Sequence, residues 1–179
     1  MSLAFFDIDT QIDFLFPAGA LYVPGAERLI PALSRLNHYA AAHGIPLVSS
    51  TCSHYEDDPE FRDWPPHCVA GTVGQLKPAE TLVEKRDQQI LFEKRQLDIT
   101  ASPNFQPLLA RLGADGYVVY GVVTEYCVGL AAMALLATGK PVSLVTDAIQ
   151  TLSPEASENT LRAFTARGGR LVTVAEVSA

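Results

Sequence analysis

Positive charge is scarce in this chain: 13 lysines and arginines stand against 20 aspartates and glutamates, a formal net charge of -7. Neutralising a polyanion needs a basic face, so nucleic acid is not expected among its partners. Cysteine is sparse as well. Cys52, Cys68 and Cys127 cannot all pair with one another, and reduced thiols, free for chemistry or packing, are the expectation. The opening Met1-Ser2-Leu3-Ala4-Phe5-Phe6 meets Asp7 before a long apolar run develops and carries no basic leader. Neither a signal peptide nor a membrane span is therefore expected, and the cytoplasm is the expected location. No Gly-x-Gly-x-x-Gly, phosphate-binding loop or Gly-x-Ser-x-Gly element occurs, which removes the obvious nucleotide and serine-hydrolase readings. Internal repeats, linkers and low-complexity tracts are missing too, and 179 residues suit one domain, taken as 1–179.

What is present is an alternation of short β-rich runs with helical patterns. Leu3 to Ile8, Ile45 to Thr51, Gln89 to Glu93, Tyr117 to Val122, Val142 to Thr146 and Leu171 to Val174 read as six strands. Glu27 to His43, Phe105 to Leu112, Val128 to Thr138 and Glu155 to Arg167 fit helical spacing. Gly44, Gly113, Gly139 and Gly168 each follow a helical pattern, where a left-handed cap is wanted, and Ser153-Pro154 reads as a helix start. This order predicts a mostly parallel α/β sheet with helices on both faces and a ligand crevice at the carboxyl ends of the strands. The non-periodic stretch from Cys52 to Asp87 exceeds an ordinary connection and is predicted to be a functional loop.

Three residues fall where that crevice should open. Asp9 ends the first strand pattern and reads equally as a crevice acid or a solvated loop carboxylate. Cys127 lies at a strand-to-helix junction, where converging N–H groups can lower a thiol pKa and form an oxyanion hole; a buried, inert cysteine is the alternative. Lys94 closes the run Ile90-Leu91-Phe92 and could reach the same region, although surface lysines are common. Asp7, inside the first strand, has no evident role. Cys52, His54, His67 and Cys68 form a candidate metal cluster of zinc-competent donors, to which Asp57, Asp58 or Asp63 could add an oxygen.

Four blocks then agree in order and spacing: Asp9-Thr10-Gln11-Ile12-Asp13-Phe14, Trp64-Pro65-Pro66-His67-Cys68 with Gly71-Thr72, the Lys94 segment, and Gly121 through Val128. Together they resemble the isochorismatase-like cysteine hydrolases, in particular nicotinamidases. The resemblance implies a three-layer α/β/α fold with a six-stranded parallel sheet and an Asp-Lys-Cys triad at Asp9, Lys94 and Cys127. It implies a cis peptide between Val122 and Val123 that aims the N–H groups of Val123 and Cys127 at an oxyanion. It also implies a substrate pocket lined by Phe14, Trp64 and Tyr126, which could otherwise be core residues. The nicotinamidase branch holds a divalent metal through an Asp-x-His pair and a later His, here Cys52, His54 and His67. Because cysteine replaces the aspartate, zinc suits the set better than magnesium or manganese.

The expected function is cysteine-dependent hydrolysis of a small amide, nicotinamide first, through a thioester, by an enzyme that the resemblance makes a homo-oligomer. The alternatives are another small amide or a ureido or carbamoyl compound, and a catalytically silent binding protein.

Overall fold

A computed structural model describes residues 2–179. Six strands, β1 (Leu3–Ile8), β2 (Leu47–Cys52), β3 (Gln89–Lys94), β4 (Gly116–Val122), β5 (Val142–Gln150) and β6 (Arg170–Val172), form one sheet in the order β3-β2-β1-β4-β5-β6. Every neighbouring pair is parallel. Six helices accompany them: α1 (Ile12–Leu15), α2 (Ile30–Ala42), α3 (Phe105–Leu112), α4 (Gly129–Leu136), α5 (Pro154–Ala166) and α6 (Val174–Val177).

Alternation along β1 builds two cores. Phe6 and Ile8 join Val119, Leu144 and the inner faces of α3 and α4, whereas Phe5 joins Tyr120, Leu47 and the α2 residues Leu33 and Leu36. The three-layer α/β/α arrangement expected from the resemblance is thus what these residues make. The four glycines read as caps all have positive φ, from 57° at Gly113 to 91° at Gly168. Ser153 caps α5, its Oγ accepting from the Ala156 N–H at 3.3 Å.

Several boundaries differ from the sequence expectation. The pattern from Glu27 to His43 is split into a 3-10 turn, Ala26–Leu29, and α2, because Pro31 takes a first-turn position where its missing N–H is harmless. β5 runs on to Gln150 past a register shift between Val119 and Gly121 of its partner. Asp147, just beyond the expected end at Thr146, lies within the strand and accepts the Val174 N–H at 2.7 Å. Val174 is therefore not in β6 but starts α6, closed by a capping box between Thr173 and Glu176. The helical pattern from Val128 begins with a π-type turn, Thr124–Val128, in which Tyr126 has φ -116° and ψ -108°. Among the described residues, no helix is long and apolar enough to cross a membrane.

The strand order reverses at the β1–β4 pair, since β2 and β3 continue to one side and β5 and β6 to the other. A crevice opens at such a switch point, at the carboxyl ends of the two central strands. Gly121 lets them close up there. At φ 122° it faces the Ile8 backbone, which a Cβ would strike.

Candidate active site

Three strand ends meet at that crevice. Asp9 follows β1, Lys94 is the last residue of β3, and Cys127 lies in the turn after β4. The Lys94 Nζ is 2.7 Å from Asp9 Oδ2 and 3.7 Å from Cys127 Sγ, and all three residues are buried. Lys94 also donates to the Gln96 carbonyl at 3.0 Å and to Cys52 Sγ at 3.4 Å. Asp9 has a left-handed backbone, φ 51°. Its Oδ1 accepts from Ser50 Oγ at 2.7 Å and its N–H donates to the Ser50 carbonyl at 3.0 Å.

The electrostatics differ in one respect from the strand-to-helix argument. Burial pushes the Cys127 thiol well above its ordinary range; the Lys94 ammonium pulls it down and the Asp9 carboxylate pushes it up. Burial dominates, so the resting sulfur is a thiol and needs a base to react. Burial disfavours the Lys94 charge, but the Asp9 carboxylate and the adjoining sulfurs more than offset this, and Lys94 stays protonated well beyond the usual lysine range.

The peptide between Val122 and Val123 is cis. Among the described residues the Val123 N–H has no hydrogen-bond acceptor, so it is free to meet an incoming oxygen. A pocket of about 40 Å³ brings together Asp9, Phe14, Trp64, Val123, Tyr126 and Cys127. The Trp64 and Tyr126 rings meet edge to face at 5.7 Å, and Tyr126 keeps 36% of its surface exposed, so this aromatic pair forms a mouth rather than core. A larger open groove of about 1070 Å³ runs past Lys94 and Glu60, but neither Asp9 nor Cys127 lines it.

The candidate metal residues are only partly brought together. Donor atoms of His54, Glu60 and His67 lie within 4.8 Å of one another, and Cys52 and Cys68 are not among them. His67 Nδ1 donates to the Pro65 carbonyl at 2.8 Å, the tautomer that leaves Nε2 free, 3.8 Å from Glu60 Oε1. Buried His54 has its Nδ1 3.1 Å from Asp58 Oδ2, and its Nε2 has no partner among the described residues. Burial holds His67 below the usual imidazole range, hence neutral, and Glu60 above the usual carboxylate range. Two imidazoles, each with its Nε2 unengaged, beside a carboxylate match a zinc donor set.

Glu60, and not Cys52, is the residue whose donor atom lies with those of His54 and His67. The Cys52 main chain is clamped by Gln11, which accepts the Cys52 N–H at 2.6 Å and donates to the Cys52 carbonyl at 2.8 Å. Its thiol turns to Lys94 and is pushed up to about 12 by burial. Glu60 was hidden in the acidic run Glu56-Asp57-Asp58-Pro59-Glu60, where nothing sets it apart from a solvated carboxylate. Cys68, also pushed up by burial, packs in the core around Phe14.

Sequence reasoning left Asp7 without a role and passed over Lys77. They form a second buried pair, 2.8 Å apart, on the α2 side of β1. Only an alternation-breaking acid inside a strand, Asp7 itself, hinted at it.

Comparison with known proteins identifies the family and the fold. The family model described as an isochorismatase domain matches residues 4–176. The nicotinamidase of Escherichia coli K12 is 24% identical over 203 aligned residues, covering 94% of this chain and 93% of that one. Among solved structures, the pyrazinamidase of Pyrococcus horikoshii in complex with zinc superposes with a TM-score of 0.88 at 28% identity, over 97% of this chain and 99% of the other. A nicotinamidase from Bacillus subtilis also gives 0.88, at 26% identity over 96% and 99%.

Proposed function

This chain belongs to the isochorismatase family, whose model spans residues 4–176, and from that premise we infer that it is a cytoplasmic, cysteine-dependent amidohydrolase whose first candidate substrate is nicotinamide. The observation that carries the reading is the contact of Asp9, Lys94 and Cys127 around one buried ammonium.

Cys127 is the nucleophile and Asp9 the base. Asp9 takes the thiol proton as sulfur attacks the amide carbonyl, and the N–H groups of Val123 and Cys127 receive the developing oxyanion. The proton then passes from Asp9 to the departing nitrogen, ammonia leaves, and a thioester remains on Cys127. Asp9 next draws a proton from water, whose oxygen attacks the thioester; the acid leaves and the thiol is restored. Lys94 stays protonated throughout, holding the carboxylate in place and balancing charge on sulfur. Phe14, Trp64 and Tyr126 enclose the flat body of the substrate. His54, Glu60 and His67 would hold a divalent ion, zinc by their chemistry, which when bound supplies a Lewis-acid anchor for a substrate heteroatom.

The replacement of the expected aspartate by Cys52 favours a second reading on the same triad, in which the amide is another small one or a ureido compound. Ammonia release from nicotinamide and from a panel of small amides, with and without added zinc, tests both. Turnover should vanish in Cys127→Ala; activity retained there refutes the reading, and no turnover of any amide favours a silent binding protein.

A further inference from the structure

The proposed base sits in an unfavourable backbone conformation, and what holds it there lies outside the pocket. Asp9 has φ 51°, a region that residues with a Cβ avoid unless their surroundings fix it. On its pocket side it is held by Ser50 and Lys94, as described. On the opposite side the next residue, Thr10, is fully buried and gripped twice. Its Oγ1 donates to Asp7 Oδ1 at 2.7 Å and lies in close contact with Lys77 Nζ, which also reaches the Thr10 carbonyl at 3.5 Å.

Asp7 is itself over-determined. Its Oδ2 accepts from Lys77 Nζ at 2.8 Å, Asn37 Nδ2 at 2.9 Å and Ser49 Oγ at 3.1 Å. Asn37 is fixed in turn by the Tyr120 hydroxyl at 2.7 Å and by its own bond to the Thr81 carbonyl at 2.7 Å. Consecutive hydroxyls of β2, Ser49 and Ser50, thus hold Asp7 and Asp9 respectively. None of Asp7, Thr10 or Lys77 lines either cavity. A buried ion pair is a poor source of stability, since apolar residues of the same volume often do as well. What such a pair does supply is fixed direction, and here that direction is applied to the residue next to Asp9.

We propose that the buried Asp7–Lys77 pair, acting through the Thr10 hydroxyl, is a positioning device that holds the Asp9 carboxylate in register with Cys127. The inference rests on the reading of Asp9 as the base, and the test separates the two. Thr10→Val keeps the shape and removes the hydroxyl, Thr10→Ser keeps the hydroxyl, and Asp9→Asn is the reference. For Thr10→Val we expect kcat to fall about tenfold to a hundredfold with KM within about twofold of wild type, because misplaced groups cost the chemical step and not binding. Thr10→Ser should recover most of that loss. Iodoacetamide labelling of Cys127, which needs no substrate, should move in Thr10→Val in the same direction as in Asp9→Asn. Wild-type kcat and labelling in Thr10→Val, with both altered in Asp9→Asn, overturn the positioning role alone. No change in Asp9→Asn removes the base and this inference with it. If Thr10→Val fails to unfold cooperatively on heating, Asp7→Asn with Lys77→Gln, which removes both charges and keeps polar groups, is judged by the same two readouts.

Discussion

Asp9→Asn should abolish turnover and yet make Cys127 more reactive toward iodoacetamide. Asp9 and Cys127 share one ammonium, at 2.7 and 3.7 Å. The carboxylate and sulfur are then separated by roughly 6 Å at most, where two unit charges repel by roughly 3 kcal/mol at an effective dielectric of about 20. That repulsion is part of what keeps the thiol well above its ordinary range. Replacing the carboxylate by an amide removes it and leaves Lys94 to pair with a thiolate, which should bring the thiol down toward its ordinary range. Losing roughly 3 kcal/mol of repulsion raises the thiolate fraction at pH 7 about a hundredfold. Nucleophilicity falls with basicity, with a Brønsted slope of about 0.4–0.5, so the net gain in labelling is about tenfold. Turnover moves the other way because no group remains to carry the proton to ammonia and back. Mass spectrometry of the labelled protein gives the first quantity and ammonia release the second. In wild type, where the thiol is the resting form, labelling should climb about tenfold per pH unit through pH 7–9 without a plateau. Labelling that slows in Asp9→Asn, or a wild-type plateau near pH 7, would refute the electrostatic account of the site.

Zinc content after dialysis should drop severalfold in Glu60→Gln and stay near wild type in Cys52→Ala; the reverse pattern would restore Cys52 as the ligand and remove Glu60. Gly121→Ala should destabilise the fold by about 2–4 kcal/mol, because the new Cβ meets the Ile8 backbone and no side chain can rotate away. A shifted urea midpoint measures this, and an unchanged one would mean that β1 and β4 are not in close contact at the switch point.

The parts of the molecule that were legible in the sequence are those set by local pattern. The alternation of Phe5 and Phe6 between two cores, the glycine caps and the Ser153-Pro154 start each depend on a few neighbouring residues. Errors fell where a distant partner decides. The strand expected to end at Thr146 runs on through Asp147, which accepts the N–H of Val174, 27 residues later. Asp7 had no assignable role until Lys77, 70 residues away, was seen beside it. The sign of the Cys127 shift was also out of reach, since burial depends on the whole fold whereas the helix-start argument depends only on the junction.

The same distinction explains why the chemistry is easier to name than the substrate. Asp9 and Cys127 are placed by the reversal of strand order at β1 and β4, and Lys94 by its register with Cys52, so their meeting follows from topology. Trp64, Glu60 and His67 come from the connection between β2 and β3, which has short 3-10 turns in place of long elements and is held by loop contacts such as that of Asp13 Oδ2 with the Cys68 N–H at 2.7 Å. A substitution in that connection can re-aim a ligand or an aromatic wall without disturbing the sheet. Cys52 shows the boundary between the two regimes. As the last residue of β2 it is fixed by the sheet and by Gln11, whereas the carboxylate that lies with His54 and His67 is Glu60, from the loop. On the proposed reading, substrate choice then depends on loop residues gathered around a strand-end geometry that the sheet fixes.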